Sequence, residues 1–170
     1  GKLSKMANSC LEGFNLVSCM YSVHYFLDNE NKLNSFLQNV SENLRDQGYF
    51  IGTCLDGYNL LKQFKGDDEF HGSVEDSIIY SVIKYKDLDY SELNLASKVK
   101  MYFETFNEYI DENLVKIDYL EDRCKDYNLK LIESNLFLDE PGNLLVSYQN
   151  KNESDVEFIN QNKDLLKWAK

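Results

Sequence analysis

Apolar and polar positions follow two different periods along this chain, and the switches between them mark its elements. Phe14 to Met20 is a short apolar run beside Gly13, rich in strand-favouring residues, and reads as a buried parallel strand. The polar break Asp28-Asn29-Glu30-Asn31 opens a helix from Lys32 to Leu44, where Leu33, Phe36, Leu37, Val40 and Leu44 fall at helical spacing and Gln47-Gly48 stops it. Tyr49 to Leu55 is a second buried strand, ending at the turn-type dipeptide Asp56-Gly57. Strand, helix and strand joined by tight connections predict a βαβ unit with parallel strands, the core of an open α/β sheet.

Beyond it the pattern predicts a short helical stretch from Leu60 to Phe64 and a surface loop from Lys65 to Ser73. Ile78 to Tyr85 and Lys98 to Phe106 read as strands, and the polar segment Asp87 to Ser97 turns the chain back between them. An antiparallel insertion over residues 74–112 follows. Leu114, Ile117, Leu120 and Cys124 recur at helical spacing from Leu114 to Tyr127, Leu129 to Ile132 reads as a strand, and Asp155 to Trp168 as a terminal helix.

With 170 residues, 43% hydrophobic and 14% aromatic, the chain has material for a single domain with its own core. No run approaches the roughly 18 apolar residues of a membrane span, and no signal-peptide stretch follows Gly1, so an intracellular protein is expected. Cys10, Cys19, Cys54 and Cys124 are scattered without the pairing of a zinc site and read as reduced core thiols. The formal charge of −11 argues against a surface that grips a nucleic-acid backbone on its own, so any RNA contact must be local or must borrow basic residues from elsewhere.

Ligands of open α/β sheets bind beyond the carboxyl ends of the strands. The residues after the first strand are Met20-Tyr21-Ser22-Val23-His24-Tyr25-Phe26. Two rings and a histidine there have two readings: a platform that stacks on a nucleobase and bonds its edge, or a cluster that packs a loop onto the core.

Phe14 to Gly57 resembles the stretch of mRNA cap (guanine-N7) methyltransferases in which a strand "VSCQF" is followed by "HY" and an aromatic, a helix "L-R-N-V-S-x-x-L" and a strand "YFIGT". The matching residues are Val17-Ser18-Cys19, His24-Tyr25-Phe26, Asn39-Val40-Ser41 with Leu44, and Gly48 to Thr53. Glu112-Asn113-Leu114-Val115, then Leu120, then Tyr127 to Leu131 resembles the family's "E-Y-L-V … L … Y-G-L-x-L" segment. The continuation through Leu60-Leu61-Lys62 is closer to enzymes of large DNA viruses than to animal ones.

The resemblance implies a partial class I, Rossmann-like, S-adenosylmethionine-dependent methyltransferase fold. It further implies transfer of methyl from S-adenosylmethionine to N7 of the guanine in a GpppN cap. Tyr21, His24, Tyr25, Leu55 and Glu112 would line the cap-guanine site, with Glu112 accepting from the guanine N1 and exocyclic amino group. Met20 and Tyr25 would touch the methyl donor. At Met20 the family usually has glutamine, and a thioether is a weak acceptor, so this contact is reduced to packing. Guanine N7 already carries a free lone pair, so no general acid or base is nominated.

The family's glycine-rich donor loop precedes the strand matched by Phe14, and Gly1 to Gly13 contain none. Residues 1–170 are therefore expected to be the C-terminal part of one methyltransferase domain. A second reading is a non-catalytic subunit with a degenerate fold that stimulates a capping partner, favoured by Met20 and opposed by the joint retention of His24, Tyr25 and Glu112. A small-molecule methyltransferase would have no use for a guanine-edge carboxylate. Expected partners are the capped RNA 5′ end and fused or associated triphosphatase and guanylyltransferase domains or an activating subunit. A viral protein of this kind would work in the virion or a cytoplasmic factory, a cellular one in the nucleus. His71 and the acidic runs Asp67-Asp68-Glu69 and Asp139-Glu140 read as solvated, and Tyr80, Tyr85, Tyr90, Tyr102 and Tyr109 as strand and insertion packing.

Overall fold

The computed structural model describes residues 13–74 and 76–136. Strand β1 (Phe14–Cys19) pairs in parallel with β2 (Leu44–Gly52), and helix α1 (Glu30–Asn43) connects them. The expected βαβ unit is present, but its strands are not buried as expected: Phe14, Leu16, Tyr49 and Ile51 are exposed, because among the described residues helix α1 covers one face only. Asn29 caps α1 by accepting the Lys32 N–H at 3.0 Å, and Glu30 sets a negative charge at the positive end of the helix. Leu33, Leu37 and Val40 lie on one stripe and are buried. Phe36 completes the contact, stacking on Phe26 at 4.1 Å and meeting Phe50 of β2 edge-on at 5.7 Å.

Helix α1 stops at Asn43, because Leu44 already has extended backbone. The pairing register then jumps from Phe14↔Leu44 to Leu16↔Tyr49, and Gln47 takes a left-handed conformation at φ 62°. The Gln47-Gly48 signal thus belongs to an irregularity inside β2, not to the end of the helix.

Between β1 and α1 lies a 3-10 helix, Val23–Asp28, which buries Val23, His24 and Leu27. Val23 and Leu27 pack with Leu33, Leu37 and Val115 into one cluster. Helix α2 (Gly57–Gln63) follows β2 and is capped by Asp56, which accepts from the Asn59 N–H at 3.1 Å and from Asn59 Nδ2 at 2.6 Å.

Strands β3 (Glu69–Val74), β4 (Ser77–Lys84), β5 (Lys98–Phe103) and β6 (Glu108–Asn113) form an antiparallel sheet in that spatial order. Its inner face, with Tyr80, Val82, Val99 and Met101, packs on Leu55, Leu60, Phe64, Leu93 and Leu114. The sheet is joined to the βαβ unit by a parallel bridge between Asp56 and Val115. Val115 N–H donates to the Leu55 carbonyl and the Val115 carbonyl accepts from Gly57 N–H, each at 2.9 Å. Helix α3 (Ile117–Lys125) follows directly and lays Ile117, Leu120 and Cys124 against the α1 cluster.

Several expectations are corrected. The loop read from Lys65 to Ser73 becomes strand β3 from Glu69 onward; Phe70, Gly72 and Val74 point inward, and a glycine in an inward position hides the alternation. Glu108–Asn113, read as no strand, is β6; its acidic composition is unfavourable for strands, and pairing with β5 overrides that. The strand expected to reach Phe106 ends at Phe103, where Glu104 to Asn107 turn the chain. Leu129 to Ile132 is not a strand, and Ile132 is exposed, since no described strand lies beside it to pair with.

Cys19 and Cys124 are free thiols, and both, like Cys54, are half-buried at the margin of the core and not inside it. Burial, with Glu121 nearby, pushes the Cys124 thiol up to about 11. Cys10 and the helix expected over Asp155 to Trp168 lie outside the described residues. Among the described residues no helix is long and apolar enough to cross a membrane.

Asp56 caps α2 at the point where the two sheets are joined, so Asp56→Ala is expected to destabilise the protein by about 1–2 kcal/mol. Urea denaturation checks this: the midpoint should fall with the slope unchanged, and an unchanged midpoint would show that the cap contributes nothing.

Candidate functional site: a buried carboxylate facing a histidine

Strand β1 ends at Cys19, and the chain turns sharply over Met20 and Tyr21. Thr53, just past β2, holds this turn: its N–H donates to the Cys19 carbonyl at 3.1 Å, and its buried hydroxyl accepts from the Tyr21 N–H. Tyr21 has φ 53°, a left-handed conformation uncommon for a bulky side chain, and its ring is 68% exposed. Met20 is also half-exposed, at 47%.

The 3-10 helix then turns His24 inward and leaves Tyr25 half in solvent. Their rings are 4.3 Å apart between centroids, at 55°. Opposite them, β6 presents Glu112, paired in register with the fully buried Val99 and itself only 5% exposed. A carboxylate in that row of apolar side chains is costly to desolvate and requires compensating polar partners.

Those partners come from the 3-10 helix. Tyr25 donates its hydroxyl to Glu112 Oε1 at 3.2 Å, and His24 Nε2 lies 2.8 Å from Glu112 Oε2. The second contact has ion-pair distance without hydrogen-bond alignment: both His24 ring nitrogens and Glu112 Oε2 are buried and lack a hydrogen-bond partner. Buried polar atoms left unpaired are rare in folded proteins and point to a role for the site. Burial, then the adjacent Glu112 charge and the hydrogen bond to it, raise the Tyr25 phenol above its ordinary pKa.

The structure therefore brings Glu112 to the adjacent pair His24 and Tyr25, across a sequence separation of 87 from Tyr25. Met20 and Tyr21 sit on the turn leading into the same helix, more open to solvent. Leu55 packs with Leu60, Phe64 and Val99, the register partner of Glu112, in the core beneath the antiparallel sheet, and its carbonyl serves Val115. Two residues at the site were missed from the sequence. Thr53 has a faint signal, a hydroxyl immediately after a strand end. Asn113, whose Nδ2 donates to the His24 carbonyl at 3.1 Å, has none.

Residues 1–164 match the mRNA (guanine-N(7))-methyltransferase domain. The chain belongs to that family. It is 30% identical over 147 residues to a probable mRNA-capping enzyme of Acanthamoeba polyphaga mimivirus, an alignment covering 81% of this chain and 12% of that protein. It is 27% identical over 136 residues to the mRNA cap guanine-N(7) methyltransferase of Candida albicans, covering 73% of this chain and 28% of the relative. A similar match, 27% over 156 residues, is to the enzyme of that name from Lodderomyces elongisporus, with coverages of 84% and 26%. This methyltransferase-family chain thus spans a minor part of the curated relatives it matches. The parallel βαβ unit with a mixed α/β surround agrees with a partial Rossmann-like methyltransferase fold.

The Tyr25 pKa gives a prediction about alkaline stability. A phenol whose pKa is raised on folding contributes stability that is fully present below the ordinary value of ~10 and lost as pH rises from there through the folded value. Glu112→Gln removes the negative charge and leaves the burial, so the Tyr25 pKa should move part of the way back toward the ordinary value. Ultraviolet titration, taken as the difference from Tyr25→Phe, reads the shift directly; no movement would mean the Tyr25–Glu112 contact is absent in solution.

Proposed function

We propose that the protein carrying this chain methylates N7 of the cap guanine in GpppN-ended RNA, and that Glu112, His24, Tyr25 and Tyr21 form its guanine site. One observation carries the reading: a buried carboxylate on β6 faces a buried histidine at 2.8 Å, and three of their polar atoms have no hydrogen-bond partner. The Watson–Crick edge of guanine presents N1–H and an exocyclic amino group, both donors. A carboxylate is the side chain that accepts both at once, and the hydrogen bonds are charge-assisted. Tyr21, exposed and left-handed, supplies a ring that can stack on the base. The antiparallel sheet, read as an insertion in the methyltransferase domain, delivers the carboxylate.

The methyl donor, S-adenosylmethionine, supplies a methyl group on a sulfonium centre. Met20 and Tyr25, both about half-exposed on the carboxyl side of β1, fit packing against its adenosine moiety. The described residues have the remaining task of orientation. Guanine N7 is already a lone pair, so no proton has to move at it, and the side chains here would hold the base in line with the methyl group. Orientation of that kind is worth as much as roughly 7–11 kcal/mol. With a net charge of −11, binding would rest on the base pocket more than on phosphate contacts along the RNA. Joint retention of His24, Tyr25 and Glu112 in contact favours this reading over a stimulatory subunit, which would not need them.

Calorimetric titration of the full-length protein with a GpppA dinucleotide tests the reading. Glu112→Ala is expected to weaken binding by roughly 10- to 100-fold, the loss of hydrogen bonds to a charged acceptor. A folded Glu112→Ala protein that binds the dinucleotide as tightly as wild type would overturn the assignment.

A further inference from the structure

The helix that carries His24 and Tyr25 is inherently weak. It is a six-residue 3-10 helix, longer than such helices usually run, and Ser22 at its N-cap makes no side-chain capping bond. The Ser22 hydroxyl instead donates to the Met20 carbonyl at 3.0 Å. Its placement is therefore set from outside. Val23 and Leu27 are buried against Leu33, Leu37 and Val115, and the Leu27 carbonyl accepts from the Ala96 N–H at 3.0 Å. These contacts hold the apolar side and the far end of the helix.

A further contact acts at the backbone of the histidine itself. Asn113 Nδ2 donates to the carbonyl of His24 at 3.1 Å, from the residue that follows Glu112 on β6. Successive side chains on a strand point to opposite faces. Glu112 can thus aim its carboxylate inward while its neighbour reaches the backbone of the helix, and a single strand end sets both sides of the His24–Glu112 contact. The resembling family segment reads E-Y-L-V, whereas this chain has Glu112-Asn113-Leu114-Val115, so the amide is a feature of this sequence.

We propose that Asn113 is a positioning residue for guanine recognition: its amide locks the His24 peptide to the end of β6, so that the His24 imidazole, the Tyr25 hydroxyl and the Glu112 carboxylate keep one relative placement. The inference rests on the cap-guanine reading. Two parallel hydrogen bonds from a base edge to one carboxylate tolerate little displacement, and the bond from Asn113 is what resists sliding of the helix along β6. Asn113 touches neither guanine nor donor in this scheme; it acts through His24 and Glu112.

The test compares binding of GpppA and of its inosine-capped analogue, which lacks the exocyclic amino group, to the full-length protein. Wild type should prefer the guanosine cap, and Glu112→Ala should lose that preference. Asn113→Asp keeps the shape of the side chain but sets an acceptor against the His24 carbonyl; it should reduce the preference roughly three- to tenfold. Asn113→Ala removes the donor without adding charge, should act in the same direction, and covers a failure of the Asp variant to fold. Equal weakening toward both caps with the preference intact would make Asn113 a structural support only, and overturn the proposal. So would wild-type binding of both caps by a folded variant. A preference lost in Glu112→Ala but kept in both Asn113 variants sinks the Asn113 assignment alone, whereas no preference in wild type sinks the cap-guanine reading beneath it.

Discussion

Val115 is bonded on both sides to the turn that follows β2: its N–H reaches the Leu55 carbonyl and its carbonyl receives the Gly57 N–H, each at 2.9 Å. The rest of the site depends on this short parallel bridge. It joins a two-stranded parallel unit to a four-stranded antiparallel sheet that shares no strand with it. Gly57 is required at the junction, since a Cβ there would come within 2.5 Å of Leu93 Cδ1 and 3.0 Å of Leu114 Cβ. Val115 is also buried in the cluster with Val23, Leu27, Leu33 and Leu37. Apolar packing and backbone hydrogen bonding therefore act at one residue, three positions after Glu112.

From that anchor the geometry of the site follows. β6 runs back from the bridge and sets Glu112 beside the 3-10 helix, while α1 presses the helix from the other side. The result concentrates unfavourable features in one place: a buried carboxylate, a buried imidazole whose nitrogens have no aligned hydrogen bond, and a tyrosine with left-handed backbone. Each costs stability, and each is held by well-packed surroundings, the pattern expected where a fold is shaped for binding. Among the other described residues Arg123 Nε is the buried side-chain atom without a hydrogen-bond partner, and the polar groups of the antiparallel sheet are paired in ordinary ways. Tyr85, for example, donates to Asp111, Lys98 bridges to Asp111 at 3.0 Å, and Tyr90 donates to the Lys98 carbonyl at 2.6 Å.

Much of the βαβ unit was legible because its periodicities are strong. Leu33, Leu37 and Val40 mark a buried helix face without ambiguity, and Phe14 to Cys19 reads as a strand from its short apolar run, although Phe14 and Leu16 are exposed and not buried as expected. The antiparallel sheet was legible only in its central strands, β4 and β5, whose inward residues are Val82, Val99 and Met101. Its edges were not. β3 hides its alternation behind Gly72, and β6 places a carboxylate where an apolar residue is expected, so the strand that delivers the key side chain is the one least like a strand in composition.

His24, Tyr25 and Glu112 were singled out by the resemblance of their segments to cap methyltransferase motifs, which is a property of the sequence alone, while local order, residue type and spacing determine which elements form. That His24 and Glu112 meet at 2.8 Å, that Leu55 goes to the core and that Asn113 reaches the His24 carbonyl were decided by tertiary structure. The physical reason is that these outcomes depend on the bridge at Val115. Backbone hydrogen bonds between distant segments leave no periodic trace in side-chain composition, and nothing in the order of residues records which face of a joined sheet will look at which helix.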